Sequence, residues 1–92
     1  MSQQLTQGWF VSKTQISTTV DEDTVILDTA SGRYFSLEGV GSTLWEALQQ
    51  PRSVGELLDV VLERYDVGVE RAERDVRGLL SKLEEAGLVT RH

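Results

Sequence analysis

The chain has 92 residues, no cysteine, and a net charge of −6 from 15 acidic and 9 basic side chains. At this length a single modest core is the ceiling, and without thiols no disulfide, thiolate nucleophile or sulfur-ligated metal can supplement it. The only histidine is His92, the last residue, which leaves no histidine-dependent triad or multi-histidine metal site, and the acidic balance repels phosphate backbones and anionic membranes.

The first eight residues are polar and aperiodic, so they are expected to fray. No basic segment followed by an apolar one opens the chain, and its longest aliphatic run is Val25-Ile26-Leu27, so neither a secretion signal nor a membrane span is expected. The expected compartment is the cytosol, in one domain spanning residues 1–92, with neither nucleic acid nor membrane as partner. Trp9-Phe10 comes next, either as an exposed binding element or as a cover for the open end of a sheet; the sequence leaves both readings open.

From Thr14 to Leu37 the composition is that of strands. TQISTTV alternates Ile16, Thr18 and Val20 with Gln15, Ser17 and Thr19, the period of two expected when only one face is buried. The acidic turn Asp21-Glu22-Asp23 has no calcium-loop spacing and reads as a solvated turn. TVILDT places Val25 and Leu27 on one face and Ile26 on the other, as a central strand would, and ends at a turn in which Gly32 supplies a positive φ. RYFSLE puts Phe35 and Leu37 on one face and Tyr34 and Ser36 on the other. The short spacings predict an antiparallel meander.

After Gly39 the period becomes 3.6. Val40, Leu44, Trp45 and Leu48 line a first helix that stops at Gln50, because Pro51 disfavours helical geometry in the residue before it. Ser53 and Glu56 form a capping box for a second helix with the stripe Val54, Leu57, Leu58, Val61, Leu62 and Tyr65. A third helix carries Ala72, Val76, Leu79, Leu80 and Leu83, and ends with Gly87 and Leu88 in a Schellman arrangement. The fold class is therefore α+β, a three-stranded antiparallel sheet followed by three helices.

No catalytic or cofactor motif emerges. The carboxylates of the third helix alternate with arginines and read as a solvated, mutually screened face, and no glycine lies in a phosphate-binding loop. The Arg33–Glu38 run is different. It is an edge strand without lysine, proline or bulge to protect it, so either a helix packs over it or an extended peptide adds to it.

The segments GRYFSL, Gly41-x-x-x-Trp45-x-x-Leu48, Ser53-Val54-x-Glu56-Leu57 and Asp75-Val76-x-x-Leu79-Leu80 through Gly87-Leu88-Val89 together resemble the PqqD-like RiPP precursor recognition elements. The likeness is specifically to the small stand-alone leader-binding proteins of lasso-peptide biosynthesis. It spans about residues 14–90, and Glu38 departs from it where relatives often carry a smaller polar residue. The resemblance implies a winged helix-turn-helix that binds the leader of a ribosomally made precursor without catalysis or cofactor. It also implies partners that act on the bound precursor, a separate leader peptidase and a cyclase. The leader would add antiparallel to the Arg33–Leu37 strand, using Arg33, Tyr34, Phe35, Ser36 and Leu37, and lie against the third helix. Asp75, Leu79 and Lys82 share one flank of that helix, and Glu73, Leu80 and Glu84 the other. The first flank, with Val76 beside it, is the expected contact surface, since Asp75 opens the family-like motif.

In the relatives so resembled the leader carries a Tyr-x-x-Pro motif. The alternative is a winged helix that places its third helix in the DNA major groove. Arg71, Arg74, Arg77 and Lys82 favour it superficially, but Glu70, Glu73, Asp75, Glu84 and Glu85 outnumber them.

Overall fold

The computed structural model describes residues 8–91, so the fraying expected of the N-terminus lies outside it except at Gly8, which is buried. His92 is outside it as well. The elements run β1 (Trp9–Val11), β2 (Gln15–Val20), β3 (Asp23–Asp28), β4 (Arg33–Glu38), α1 (Val40–Ala47), α2 (Val54–Arg64), α3 (Val69–Glu85) and β5 (Val89–Arg91). The expected three-stranded antiparallel sheet is present in the order β2-β3-β4, with the three helices after it, an arrangement consistent with a winged helix-turn-helix.

Turn chemistry sets the register of the meander. Gly32 takes φ 75°, and the Asp28 carboxylate accepts hydrogen bonds from the Ala30 N–H and the Ser31 hydroxyl, closing the β3–β4 turn. Asp28 then pairs with Arg33, and Asp23 with Glu38. Gly39, at φ 55°, turns the chain from β4 into α1, a left-handed conformation that a side chain would strain.

The inward face of β2 is the polar one. Gln15, Ser17 and Thr19 are partly buried, whereas Ile16 and Val20 are more than 60% exposed, at 62% and 64%. Specific hydrogen bonds account for Ser17 and Thr19. The Ser17 hydroxyl accepts the Trp45 indole N–H at 3.0 Å, and Thr19, Thr24 and Ser42 join their hydroxyls in a chain beneath the sheet. A small polar residue at each site lets the sheet approach α1 closely and satisfies groups that burial would otherwise leave unpaired.

The core lies between the sheet and the helices. Ile26, Leu44, Trp45, Leu48, Leu57, Val61, Val76 and Leu88 are each at most 1% exposed. The Ser53–Glu56 capping box forms in full, and the Gly87 and Leu88 N–H groups reach the Glu84 and Leu83 carbonyls at the end of α3, as in a Schellman motif. The Tyr65 hydroxyl is bonded to the Thr43 hydroxyl at 2.8 Å.

Two features depart from the sequence reading. Helix α1 ends at Ala47, before Pro51 compels it, because Arg52 pairs its backbone with Trp9 while its guanidinium takes the Ala47 carbonyl. Trp9-Phe10 is not a free binding element: β1 pairs antiparallel with β5 in a second, two-stranded sheet, and Trp9 packs against the core. The Arg91 guanidinium lies 5.0 Å from the Trp9 ring centroid, which fastens the two ends of the described chain together.

Candidate functional site: an edge strand beside a groove

β4 is an edge of its sheet. The Gly39 N–H donates to the Glu22 carbonyl at 2.9 Å, which fixes the phase of the antiparallel alternation. Arg33, Phe35 and Leu37 therefore exchange backbone bonds with β3, and the N–H and C=O groups of Tyr34, Ser36 and Glu38 point away from it. Those outward groups are the ones a further strand would need.

A groove of about 510 Å³ separates this edge from α3. Ser36, Leu37 and Glu38 form its strand side, and Arg74, Asp75, Gly78, Leu79 and Lys82 its helix side. Val40, Gly41 and Leu44 of α1 supply the floor. A Cβ on Gly41 would lie 3.5 Å from Leu37 and 3.8 Å from Leu79, so the two leucines converge over the bare glycine. The floor is apolar and the rim charged, with two cations and two anions among the lining residues.

Of the two flanks of α3, the one carrying Asp75, Leu79 and Lys82 faces the groove. On the other flank Leu80 is 3% exposed in the core, and Glu73 and Glu84 hold Arg77 and Arg91 at 3.0 and 3.3 Å. Asp75 lies 3.9 Å from Arg71, an exposed and loose pair. Ser36 and Leu37 also line the groove as expected. Tyr34 is 71% exposed on the outer face of the sheet and meets the groove side only through its backbone. Arg33 folds over the Phe35 ring, 5.1 Å from its centroid, and Phe35 packs against the core.

Val76 has to be reassigned. It is 0% exposed, because α3 turns the centre of its apolar stripe inward, so it supports the groove from below and offers a ligand no surface. The groove-lining residues outside the expected set are Glu38, Arg74, Gly78, Val40, Gly41 and Leu44. The last two sit in the Gly41-x-x-x-Trp45-x-x-Leu48 segment already singled out, and Gly78 was visible as a glycine inside a strong helical pattern. Among the described residues no group of histidine, cysteine, aspartate and glutamate is placed to hold a metal, and no helix is long and apolar enough to cross a membrane.

An open edge strand with an apolar-floored groove beside it is an arrangement to which an extended peptide can add. The chain belongs to the PqqD family: the profile described as coenzyme PQQ synthesis protein D matches residues 23–89. Two solved structures are similar over nearly its whole length. TbiB1 in complex with the TbiA(beta) leader peptide shares 31% identity at a TM-score of 0.81, covering 87% of this chain and 93% of that one. Lasso peptide synthetase B1 complexed with the leader peptide shares 24% identity at a TM-score of 0.79, covering 90% and 98%, and supports the fold alone. A search of curated proteins returns no match.

Proposed function

We propose that this chain is a non-catalytic recognition protein for the leader segment of a ribosomally synthesised precursor peptide of the lasso type. The leader adds antiparallel to β4 as a fourth strand and fills the groove against α3. The observation that carries this reading is the outward row of backbone groups at Tyr34, Ser36 and Glu38 beside a groove lined by Leu37, Val40, Leu44 and Leu79. That TbiB1, 31% identical, was solved with a leader peptide supports the choice of occupant.

Each part of the site has a physical task. Backbone pairing to β4 fixes the direction and register of the leader, since a one-residue slip would turn every leader side chain to the opposite face. Leu37 and Leu79 receive apolar leader side chains, and Asp75 and Lys82 set charge preferences at the rim. Arg33 and Tyr34 flank the strand's entry, and Phe35 with Val76 holds strand and helix at their spacing. The bound precursor is then delivered to a separate leader peptidase and a cyclase in the cytosol. Tethering the substrate at high local concentration is the contribution, with no bond-making group required.

The test is a fluorescence-anisotropy titration with a labelled synthetic leader peptide that carries the Tyr-x-x-Pro motif. Saturable binding with a Kd of about 1 µM or tighter is expected, in the range of natural peptide recognition. A flat titration would reject the reading.

A further inference from the structure

Gly78 lies in the middle of α3, a 17-residue helix, where glycine is the least favourable residue apart from proline. The usual structural reasons for a glycine are missing. Its φ is not positive, it is at neither cap, and a Cβ built there would meet nothing within 4 Å. It does line the groove. Arg74 and Lys82, which line the same groove, stand one turn before and one turn after it, about 12 Å apart along the helix axis. The groove wall therefore has a gap one side chain wide, bounded by two long aliphatic stems whose charged ends can stay in water. Leu79 adjoins the gap.

We infer that Gly78 is a specificity-determining residue: its missing side chain leaves a notch that admits one large apolar side chain of the bound peptide. This rests on the leader-binding reading above. It adds that the size of one leader residue is read on α3, and that the helix retains an unfavourable glycine for this purpose.

The experiment compares wild type, Gly78→Ala and Gly78→Leu by thermal unfolding and by anisotropy with the same labelled leader. Gly78→Ala should raise the Tm by about 4–8 °C, because alanine favours the helix and has free space around it. Gly78→Leu should bind at least about tenfold more weakly than wild type, since it fills the notch. Leaders with each large apolar residue replaced in turn by alanine complete the cycle. One of them should bind wild type more weakly yet bind wild type and Gly78→Leu alike.

Unchanged binding by Gly78→Leu overturns the inference while leaving leader recognition intact. So does a fall in Tm for Gly78→Ala, which would give the glycine a task in folding. If every alanine-substituted leader still distinguishes wild type from Gly78→Leu, the notch receives backbone and the inference again fails. Absence of saturable binding to wild type is a separate result that rejects the leader reading and this one together.

Discussion

Leu79 and Arg77 are two residues apart on α3 and face different surroundings. Leu79 lines the groove beside Leu37. Arg77 is 62% exposed in its side chain and bonded to Glu73. Leu79→Asp is therefore expected to weaken leader binding at least about tenfold, and Arg77→Glu by less than about twofold, since an exposed pair contributes little. Anisotropy measures both, and urea unfolding checks that each variant folds; the reverse order would move the binding surface to the other flank. Ser17 supplies a second test at this scale. On a strand whose alternation looks amphipathic, Ser17 reads as solvent-facing, yet it accepts the buried Trp45 indole N–H. Ser17→Ala is expected to cost about 1–3 kcal/mol in urea unfolding by leaving that donor unpaired. Ile16→Thr, at a 62% exposed position, should stay within about 0.5 kcal/mol. Equal costs would mean that the polar face of β2 does not carry the packing.

β4 allows its two hydrogen-bonding edges to be separated by proline. The Ser36 N–H points away from β3, so Ser36→Pro leaves the sheet ladder intact while removing an outward donor. It should abolish saturable leader binding with a Tm change of no more than a few degrees. Leu37→Pro breaks a bond to β3 and should unfold the sheet, a contrast that circular dichroism and anisotropy resolve together. If Ser36→Pro folds and binds as wild type, strand addition is not the docking mode. The same scale explains what the sequence could disclose. The helices were legible because their signals are local: the Ser53–Glu56 box, the Gly87-Leu88 ending and the apolar stripes all lie within a few turns. The meander was legible from its turns. β1 and β5 were not, because three residues are too short for a pattern and their pairing joins opposite ends of the chain. The inward face of β2 was hidden for a related reason, since Ser17 is bonded to Trp45 on α1, and Thr19 to Thr24 of β3, which in turn is bonded to Ser42 of α1. Within the site, the open edge and the flank of α3 could be anticipated from residue types and from resemblance. The groove floor depends on how α1 lies across both, which no local pattern encodes.

For the whole molecule, net charge separates two uses of one outline. In a DNA-binding winged helix the third helix enters the major groove, and its affinity comes largely from phosphate neutralisation by lysine and arginine. Here Arg71 and Arg77 stand beside Asp75 and Glu73, Arg74 and Lys82 line the groove, and the chain as a whole carries −6. Pairing and field therefore act in the same direction, weakening the attraction of α3 for a polyanion while leaving an uncharged peptide backbone free to dock on β4. A labelled duplex of roughly 20 base pairs, titrated at about 50 mM salt where phosphate contacts are strongest, should give no saturable binding at protein concentrations that saturate the leader. A saturable signal that collapses as salt is raised to about 200 mM would mark phosphate contacts, and would return α3 to the DNA-recognition role that its carboxylates argue against.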